Sequence, residues 1–180
     1  VCMGVLNDIR SVSPAMPNGW IAETEFVVAT IHRQENTDDP RRLRQVIDHL
    51  ATSKVTVRLL AHPRLRSKAE EFGIQLRHDN VEVFEPLAYP QLIFAVDKAT
   101  GVVTDSGGLQ KEAFLLGTPC ITLRTETEWV ETVESGWNSL DPDCVLNIDE
   151  VLAIPRQKSS NPYGDGRAAH RVVRELEARL

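Results

Sequence analysis

Residues 102–112 combine residue types that can bind an anion. A run of β-branched residues leads into Ser106, Gly107 and Gly108, after which a helix is predicted. Backbone N–H groups at a helix N-terminus attract anions such as phosphate, and glycine lets a ligand approach the main chain. Glu112, expected on the first turn of that helix, offers a carboxylate to sugar hydroxyls. The alternative is an ordinary strand-to-helix turn in which Ser106 only caps the helix, and this stretch alone does not decide between the two.

Polar residues also follow the other predicted strands. They occupy residues 32–36, 62–64, 85–89 and 124–128. Ligands of open α/β sheets bind outside the carboxyl ends of the strands. The sequence therefore predicts one cleft at one edge of the sheet, with the glycine turn on its wall.

Histidines in two of these clusters are candidates for anion binding or proton transfer. His32 follows a buried strand and has Arg33 and Glu35 close by, and function is favoured for this group. The alternative is that His32 caps the strand end and that Glu35 pairs with Arg33. For His62, before Pro63, a ligand contact and a purely structural contact with the backbone are equally weighted.

The remaining ring-bearing candidates are assigned no chemistry. His49, His78 and His170 are interpreted as solvated or loop positions. Trp129 and Trp137 are interpreted as packing residues rather than as platforms on which a ligand stacks.

The elements that must position these groups alternate between strand and helix. Buried strands are predicted over residues 26–31, 55–61, 81–84, 101–104 and 120–123. Helices are predicted from a start at residues 38–40 and over residues 65–72, 90–97, 109–116 and 167–180, the last with Val172, Val173 and Leu176 on one side. Residues 140–154 fit either state. The alternation predicts an α/β fold with a doubly wound parallel sheet, Rossmann-like in its connections.

Composition narrows the class of protein. The chain has 180 residues, is 42% hydrophobic and carries a formal net charge of −6, which suits one globular domain without the basic field that binds nucleic acid. No apolar run approaches the roughly 20 residues of a membrane span, and no secretion signal opens the sequence. Three cysteines without zinc-ligand spacing favour a reduced, cytoplasmic protein.

The opening of the chain suggests a domain from a longer polypeptide. The first residue is Val1, and Val5, Leu6 and Ile9 give a helix-like start before any strand. We expect residues 1–25 to form a connector helix and linker, and residues 26–180 to form the domain itself. A processed terminus would give the same appearance.

Motifs for several kinds of cofactor chemistry are missing. There is no histidine pair at metal-ligand spacing, no dinucleotide-binding glycine pattern and no P-loop ending. Hydride transfer and nucleotide hydrolysis are therefore not expected.

Three motifs together resemble the non-hydrolysing UDP-N-acetylglucosamine 2-epimerases, specifically their C-terminal half. They are His32-Arg33-Gln34-Glu35-Asn36, the block from Asp105-Ser106-Gly107-Gly108 to Glu112-Ala113, and Gly117-Thr118-Pro119 with Leu123-Arg124 and Thr127-Glu128. His62-Pro63-Arg64 and Tyr163-Gly164-Asp165-Gly166 also fit. The resemblance covers essentially the whole chain and implies the glycosyltransferase B-type architecture, in which two Rossmann-like domains face a cleft.

The resemblance implies a role for individual residues. Ser106, Gly107 and Gly108 would hold the diphosphate of UDP, and Glu112 would bind the ribose hydroxyls. Residues 86–92 would cradle uracil, through the backbone of Leu87 and the side chain of Leu92. His32 would be the catalytic histidine near the reacting sugar. Arg33, Glu35 and His62 match positions that contact a second, activating nucleotide sugar in some members.

The resemblance also implies the reaction and what this chain lacks for it. UDP would be eliminated to give a glycal and then re-added, inverting C2 of the sugar without a metal or redox cofactor. The proton-transferring carboxylates would come from an N-terminal domain of the same polypeptide, and the full-length protein is expected to be a homodimer. Thr127-Glu128-Trp129 departs from the usual Thr-Glu-Arg and looks like the branch that acts on UDP-linked diacetamido uronic acids.

Two other readings stay open on the sequence. One is the donor-binding domain of a B-type glycosyltransferase. Such a domain usually has two spaced glutamates near the phosphate loop, and residues 105–112 match this pattern only loosely. The other is a non-catalytic module that binds nucleotide sugars or a partner protein.

Overall fold

The computed structural model describes Leu6 and residues 14–20, 24–156 and 162–179. Most of the predicted connector, including Val5 and Ile9, lies outside these residues. Leu6 itself is helical and buried. Trp20 is also buried and packs edge-on against Phe26, with ring centroids 5.4 Å apart.

A parallel sheet organises the described part of the chain. Its strands are β1 (Phe26–Thr30), β2 (Thr56–Leu60), β3 (Val81–Phe84), β4 (Gly101–Thr104), β5 (Cys120–Thr122) and β6 (Asn138–Leu140). They lie in the order β3-β2-β1-β4-β5-β6, and every pairing is parallel. This is the order of a doubly wound Rossmann sheet, so the predicted fold class is confirmed. The sequence prediction missed β6, which continues the sheet beyond β5.

The described helices include one at each of the five places where the sequence predicts a helix. They are α1 (Gln34–Thr37), α2 (Pro40–Leu50), α3 (Pro63–Glu71), α4 (Tyr89–Lys98), α5 (Gly107–Leu116), α6 (Val130–Glu134), α7 (Ile148–Ala153) and α8 (Ala168–Glu177). The Asp39 side chain caps α2 by accepting from the N–H groups of Arg41 and Arg42, with Pro40 in the first turn. Gly117 ends α5 in the left-handed conformation, at φ 81°.

Each face of the sheet carries its own core, because successive side chains of a strand point to opposite faces. Val27 and Ala29 of β1 belong to the core under α2, α3 and α7. Phe26 and Val28 belong to the core under α4 and α5, which also contains Leu6 and Trp137. With both faces covered, the carboxyl ends of the strands remain available to a ligand.

Two local predictions are wrong: the residue at which α5 begins and the exposure of His49. α5 begins at Gly107 and not at Leu109, so both glycines are helical and Glu112 lies on the second turn. His49 is buried rather than solvated, with its Nε2 atom 3.3 Å from Oδ2 of the buried Asp141. Burial lowers the pKa of His49; Asp141 opposes that shift and Arg42 adds to it.

The segment that the sequence left open contains both states. Leu140 ends β6, a turn follows in which Asp141 accepts from the N–H groups of Val145 and Leu146, and α7 covers the sheet. The apolar side predicted for the last helix exists, but Val172, Val173 and Leu176 are more than half exposed. Within the described ranges no helix is long and apolar enough to cross a membrane.

Candidate functional site

A cleft of about 230 Å³ lies at the carboxyl ends of β1, β2, β3 and β4. Its lining is mostly apolar with a few polar groups, as expected for a small-molecule site. Seven residues singled out from the sequence line it: His32, His62, Leu87, Leu92, Ser106, Gly108 and Glu112. Thr30, Ile31, Leu60, Pro86 and Leu109 complete the lining. The structure therefore brings together side chains that are up to 80 positions apart in the sequence.

The start of α5 forms one wall of the cleft. Ser106 is the N-cap, and its Oγ accepts from the N–H of Leu109 at 3.4 Å. In the part of the chain that the structure describes, the N–H groups of Gly107 and Gly108 have no acceptor. Unpaired donors at a helix N-terminus, together with the helix dipole, are suited to a phosphate group.

The two glycines face different surroundings. A Cβ atom on Gly108 would have no heavy atom within 4 Å, so this residue opens onto free space beside the cleft. A Cβ atom on Gly107 would lie 3.1 Å from Oε2 of Glu128 and 3.7 Å from Nη1 of Arg124. Gly107 is not among the residues lining the cleft, and an ion pair packs beside it.

That ion pair is bidentate and joins Arg124 to Glu128. The guanidinium donates to both carboxylate oxygens, at 2.9 and 3.0 Å. These hydrogen bonds lower the pKa of Glu128 to about 2 and raise the pKa of Arg124 above its usual value. The pair holds a compensated charge beside the first residue of α5.

Glu112 faces the cleft one and a half turns along α5. Its Oε1 accepts from the hydroxyl of Tyr89 at 2.7 Å. Burial raises the pKa of Glu112, and the hydrogen bond from Tyr89 offsets part of that shift. Tyr89 was read from the sequence only as the end of a loop; it is the first residue of α4 and positions this carboxylate.

His32 is held by a buried carboxylate that sequence reasoning did not select. Asp105 has no exposed surface and accepts from the N–H groups of His32 and Arg33 at 3.0 and 2.9 Å. It also accepts from Nδ2 of Asn36, and its Oδ1 lies 3.1 Å from Nδ1 of His32. A carboxylate only accepts hydrogen bonds, so this contact favours the imidazole tautomer with its hydrogen on Nδ1 and its lone pair on Nε2.

A second, shallower hollow of about 480 Å³ shares His32 with the cleft. Arg33, Gln34, Glu35 and Arg64 line the rest of it. Arg33 faces Glu128 at 3.9 Å, and Arg64 is paired with Asp38. Arg33 and Glu35 therefore lie in this hollow and not in the main cleft.

His62 has the structural role that the sequence offered as one alternative, and it also lies on the cleft wall. Its Nδ1 accepts from the N–H of Arg64 and so caps α3, while its ring lines the cleft. The rings of His32 and His62 have centroids 6.1 Å apart. Among the described residues, no group of three or more potential metal ligands occurs.

Comparison with known proteins places this geometry in a family. The sequence model of the UDP-N-acetylglucosamine 2-epimerase family matches residues 5–177. The UDP-2,3-diacetamido-2,3-dideoxy-D-glucuronate 2-epimerase of Pseudomonas aeruginosa is 38% identical over 167 residues, which are 89% of this chain and 46% of that protein. The UDP-N-acetylglucosamine 2-epimerase of Bacillus subtilis is 32% identical, over 87% of this chain and 44% of that protein.

Solved structures agree with the sequence comparisons. The UDP-GlcNAc 2-epimerase of Methanocaldococcus jannaschii superimposes with a TM-score of 0.75 at 28% identity, covering 98% of this chain and 49% of that one. The same enzyme in complex with UDP-GlcNAc and UDP gives a TM-score of 0.74 at 27% identity, covering 98% of this chain and 48% of that one. The chain spans about half the length of the relatives it matches.

Proposed function

This chain belongs to the UDP-N-acetylglucosamine 2-epimerase family, and we propose that it is the UDP-binding C-terminal half of a sugar-nucleotide 2-epimerase. The observation that carries the proposal is the convergence on one cleft of five of the six predicted UDP-binding residues, all but Gly107. Free N–H groups, a carboxylate and apolar side chains, the groups that a nucleoside diphosphate needs, all lie at this cleft.

The cleft suggests how UDP is held. The diphosphate binds the first-turn N–H groups of α5 and the Ser106 hydroxyl, and the ribose hydroxyls donate to Glu112. Uracil packs against Leu92 and accepts a hydrogen bond from, or donates one to, the backbone at Leu87. The apolar share of the lining, which includes Leu60 and Pro86, supports this side of the cleft as the base site.

In the proposed reaction, the groups that bind the diphosphate stabilise UDP as the leaving group. Removal of the proton on C2 and cleavage of the bond between C1 and the diphosphate oxygen give a glycal and free UDP. The same oxygen then adds back to C1 while a proton reaches the opposite face of C2. Donors that bind the diphosphate lower the barrier, because negative charge develops there as the bond breaks.

His32 lies where the sugar end of the substrate is expected. With Asp105 facing the other ring nitrogen, the lone pair on Nε2 can accept a proton, or a hydrogen bond that a sugar hydroxyl donates. The carboxylates for proton transfer at C2 come, in this proposal, from an N-terminal half that completes the cleft. We further propose a homodimer for the completed, cytoplasmic protein, which light scattering of that protein would test.

Calorimetry with UDP and uridine tests the proposal. This chain should bind UDP more tightly than uridine, and Ser106→Ala should weaken only UDP. Ser135→Ala is a matched control, because Ser135 lies at the end of α6, where its hydroxyl donates to the carbonyl of Glu131. Absence of UDP binding at millimolar concentration would contradict the proposed function.

A second experiment addresses the reaction. The chain alone should show no epimerisation, because we place the C2 carboxylates in the N-terminal half. Measurable turnover by this chain would contradict that placement. The completed protein should be assayed by NMR with UDP-N-acetylglucosamine and with a UDP-diacetamido uronic acid. The similarity to the Pseudomonas aeruginosa enzyme and the Thr127-Glu128-Trp129 variant favour the uronic acid as substrate.

A further inference from the structure

Trp129 makes a direct hydrogen bond to the start of α5. Its indole Nε1–H donates to the carbonyl oxygen of Gly107 at 2.7 Å. Gly107 is the first residue of the helix, so this contact acts on the turn that carries the free N–H groups. The packing role read from the sequence does not account for such a polar contact.

The carbonyl that Trp129 holds belongs to the same peptide unit as the N–H of Gly108. A peptide unit is planar, and its C=O and N–H point in opposite directions. Fixing the carbonyl of Gly107 therefore fixes the direction of the Gly108 N–H. Glycines have more backbone freedom than other residues, so the hydrogen bond from Trp129 adds a restraint that neither glycine can supply through a side chain.

Trp129 is itself held in place from several sides. Its backbone N–H donates to Oγ1 of Thr127 at 3.0 Å, and that hydroxyl donates to the buried side chain of Gln110 at 2.6 Å. Its ring meets the ring of Tyr163 edge-on at 5.8 Å, and Nζ of Lys111 lies 4.2 Å from the ring centroid. Gln110 and Lys111 belong to α5, so the indole is fixed to the helix whose first turn it holds.

We propose that Trp129 is a positioning residue for the diphosphate of a nucleoside diphosphate, acting through the peptide unit between Gly107 and Gly108. This inference rests on the proposed function, since it concerns the same site. Trp129 does not contact the ligand; it aims the Gly108 N–H at the phosphate.

Matched tryptophan substitutions test the inference by calorimetry. Trp129→Phe keeps an aromatic ring beside Lys111 and Tyr163 but removes the indole N–H. Trp137→Phe is the control, because Trp137 is buried and its Nε1 has no partner among the described residues. Trp129→Phe should weaken UDP about three- to tenfold, the usual effect of one hydrogen bond, while Trp137→Phe should not.

Uridine separates a positioning role from a general loss of structure. It lacks the diphosphate, so its affinity should be the same in Trp129→Phe and in the unsubstituted chain. Equal UDP affinity in these two proteins would overturn the inference and leave the proposed function standing. Failure of the unsubstituted chain to bind UDP would overturn both. A parallel loss of uridine and UDP affinity would also overturn the inference.

An NMR titration gives an answer even if Trp129→Phe does not fold. In the unsubstituted chain, UDP should shift the amide signal of Gly108 and the indole signal of Trp129 together. Uridine should shift neither. A Gly108 signal that UDP leaves in place would contradict the inference.

Discussion

Replacing Asp105 with asparagine should damage the fold and His32 in ways that can be measured separately. Oδ2 of Asp105 accepts from three donors, the N–H groups of His32 and Arg33 and the side chain of Asn36. Oδ1 faces Nδ1 of His32 at 3.1 Å. Asparagine has a single acceptor oxygen. This oxygen can face either the three donors or Nδ1 of His32, and the NH₂ group then faces the other side.

The less costly orientation keeps the oxygen at the Oδ2 position. The three donors then lose a charged acceptor for a neutral one, at about 1 kcal/mol each, and relief from burying a charge offsets part of this. We expect the free energy of unfolding to fall by about 2–3 kcal/mol, a large share of the usual 5–15 kcal/mol. The NH₂ group now points at Nδ1 of His32, which must become an acceptor. His32 should therefore change tautomer, with the hydrogen on Nε2 and no lone pair towards the cleft.

Chemical denaturation measures the first effect and nitrogen NMR of the imidazole measures the second. Asp39→Asn is a matched control: the same change occurs at the N-cap of α2, where asparagine caps as well as aspartate, so stability should stay within about 0.5 kcal/mol. In the completed protein, Asp105→Asn should reduce turnover more than it raises the KM for the UDP-sugar. Unchanged stability together with an unchanged His32 tautomer would refute the reasoning.

Three further predictions concern the cleft and a buried histidine. Gly108→Ala should leave the free energy of unfolding unchanged or raise it by up to about 1 kcal/mol, because alanine favours a helix and its Cβ meets open space. The same substitution should weaken UDP binding at least about tenfold in calorimetry. Gly117→Ala is the control: at φ 81° it should lower the free energy of unfolding by about 1 kcal/mol. The affinity for uridine should fall as the pH is lowered from 7, because the pKa of Glu112 is raised above 4.5 and a protonated Glu112 accepts hydrogen bonds from ribose hydroxyls less well. Glu112→Gln should remove this pH dependence. A pH dependence that persists in this variant would exclude Glu112 as its source. Burial holds the pKa of His49 below 6.5, so the unfolded chain binds more protons and stability should be lost as the pH falls through 6.5. In chemical denaturation, His49→Gln should lose less stability between pH 7 and pH 5 than the unsubstituted chain. His170 is exposed, so His170→Gln should lose as much stability as the unsubstituted chain.

The strands were predictable where apolar, β-branched runs lie between turn residues. β3 and β4 begin and end at the residues predicted, and β1 is one residue shorter. β6 escaped because Asn138-Ser139-Leu140 has no such pattern. Its place depends on pairing with β5 and on Asn138, which is buried and bonded to Thr122 and Gln110. Those partners are known only once the sheet has formed.

The same limit explains the histidine that was assigned to solvent. In sequence, His49 lies beside the apolar stripe of α2 and resembles any polar residue at its edge. The turn after β6 covers it and brings Asp141 to 3.3 Å. That turn lies in residues 140–154, whose state the sequence did not decide. A segment whose state was left open thus led to an error about the burial of a residue on another element.

Asp105 shows why the residue types of a site can be read from sequence more easily than its supports. In the strand order β3-β2-β1-β4-β5-β6, the chain leaves β1 towards one face of the sheet and β4 towards the other. A crevice must open between these two exits. His32 and Ser106 line its walls, whereas Asp105, just after β4, is fully buried and accepts from backbone groups that follow β1. A carboxylate in this position joins the two walls, and its exclusion from solvent makes it a support for the site and not a ligand group.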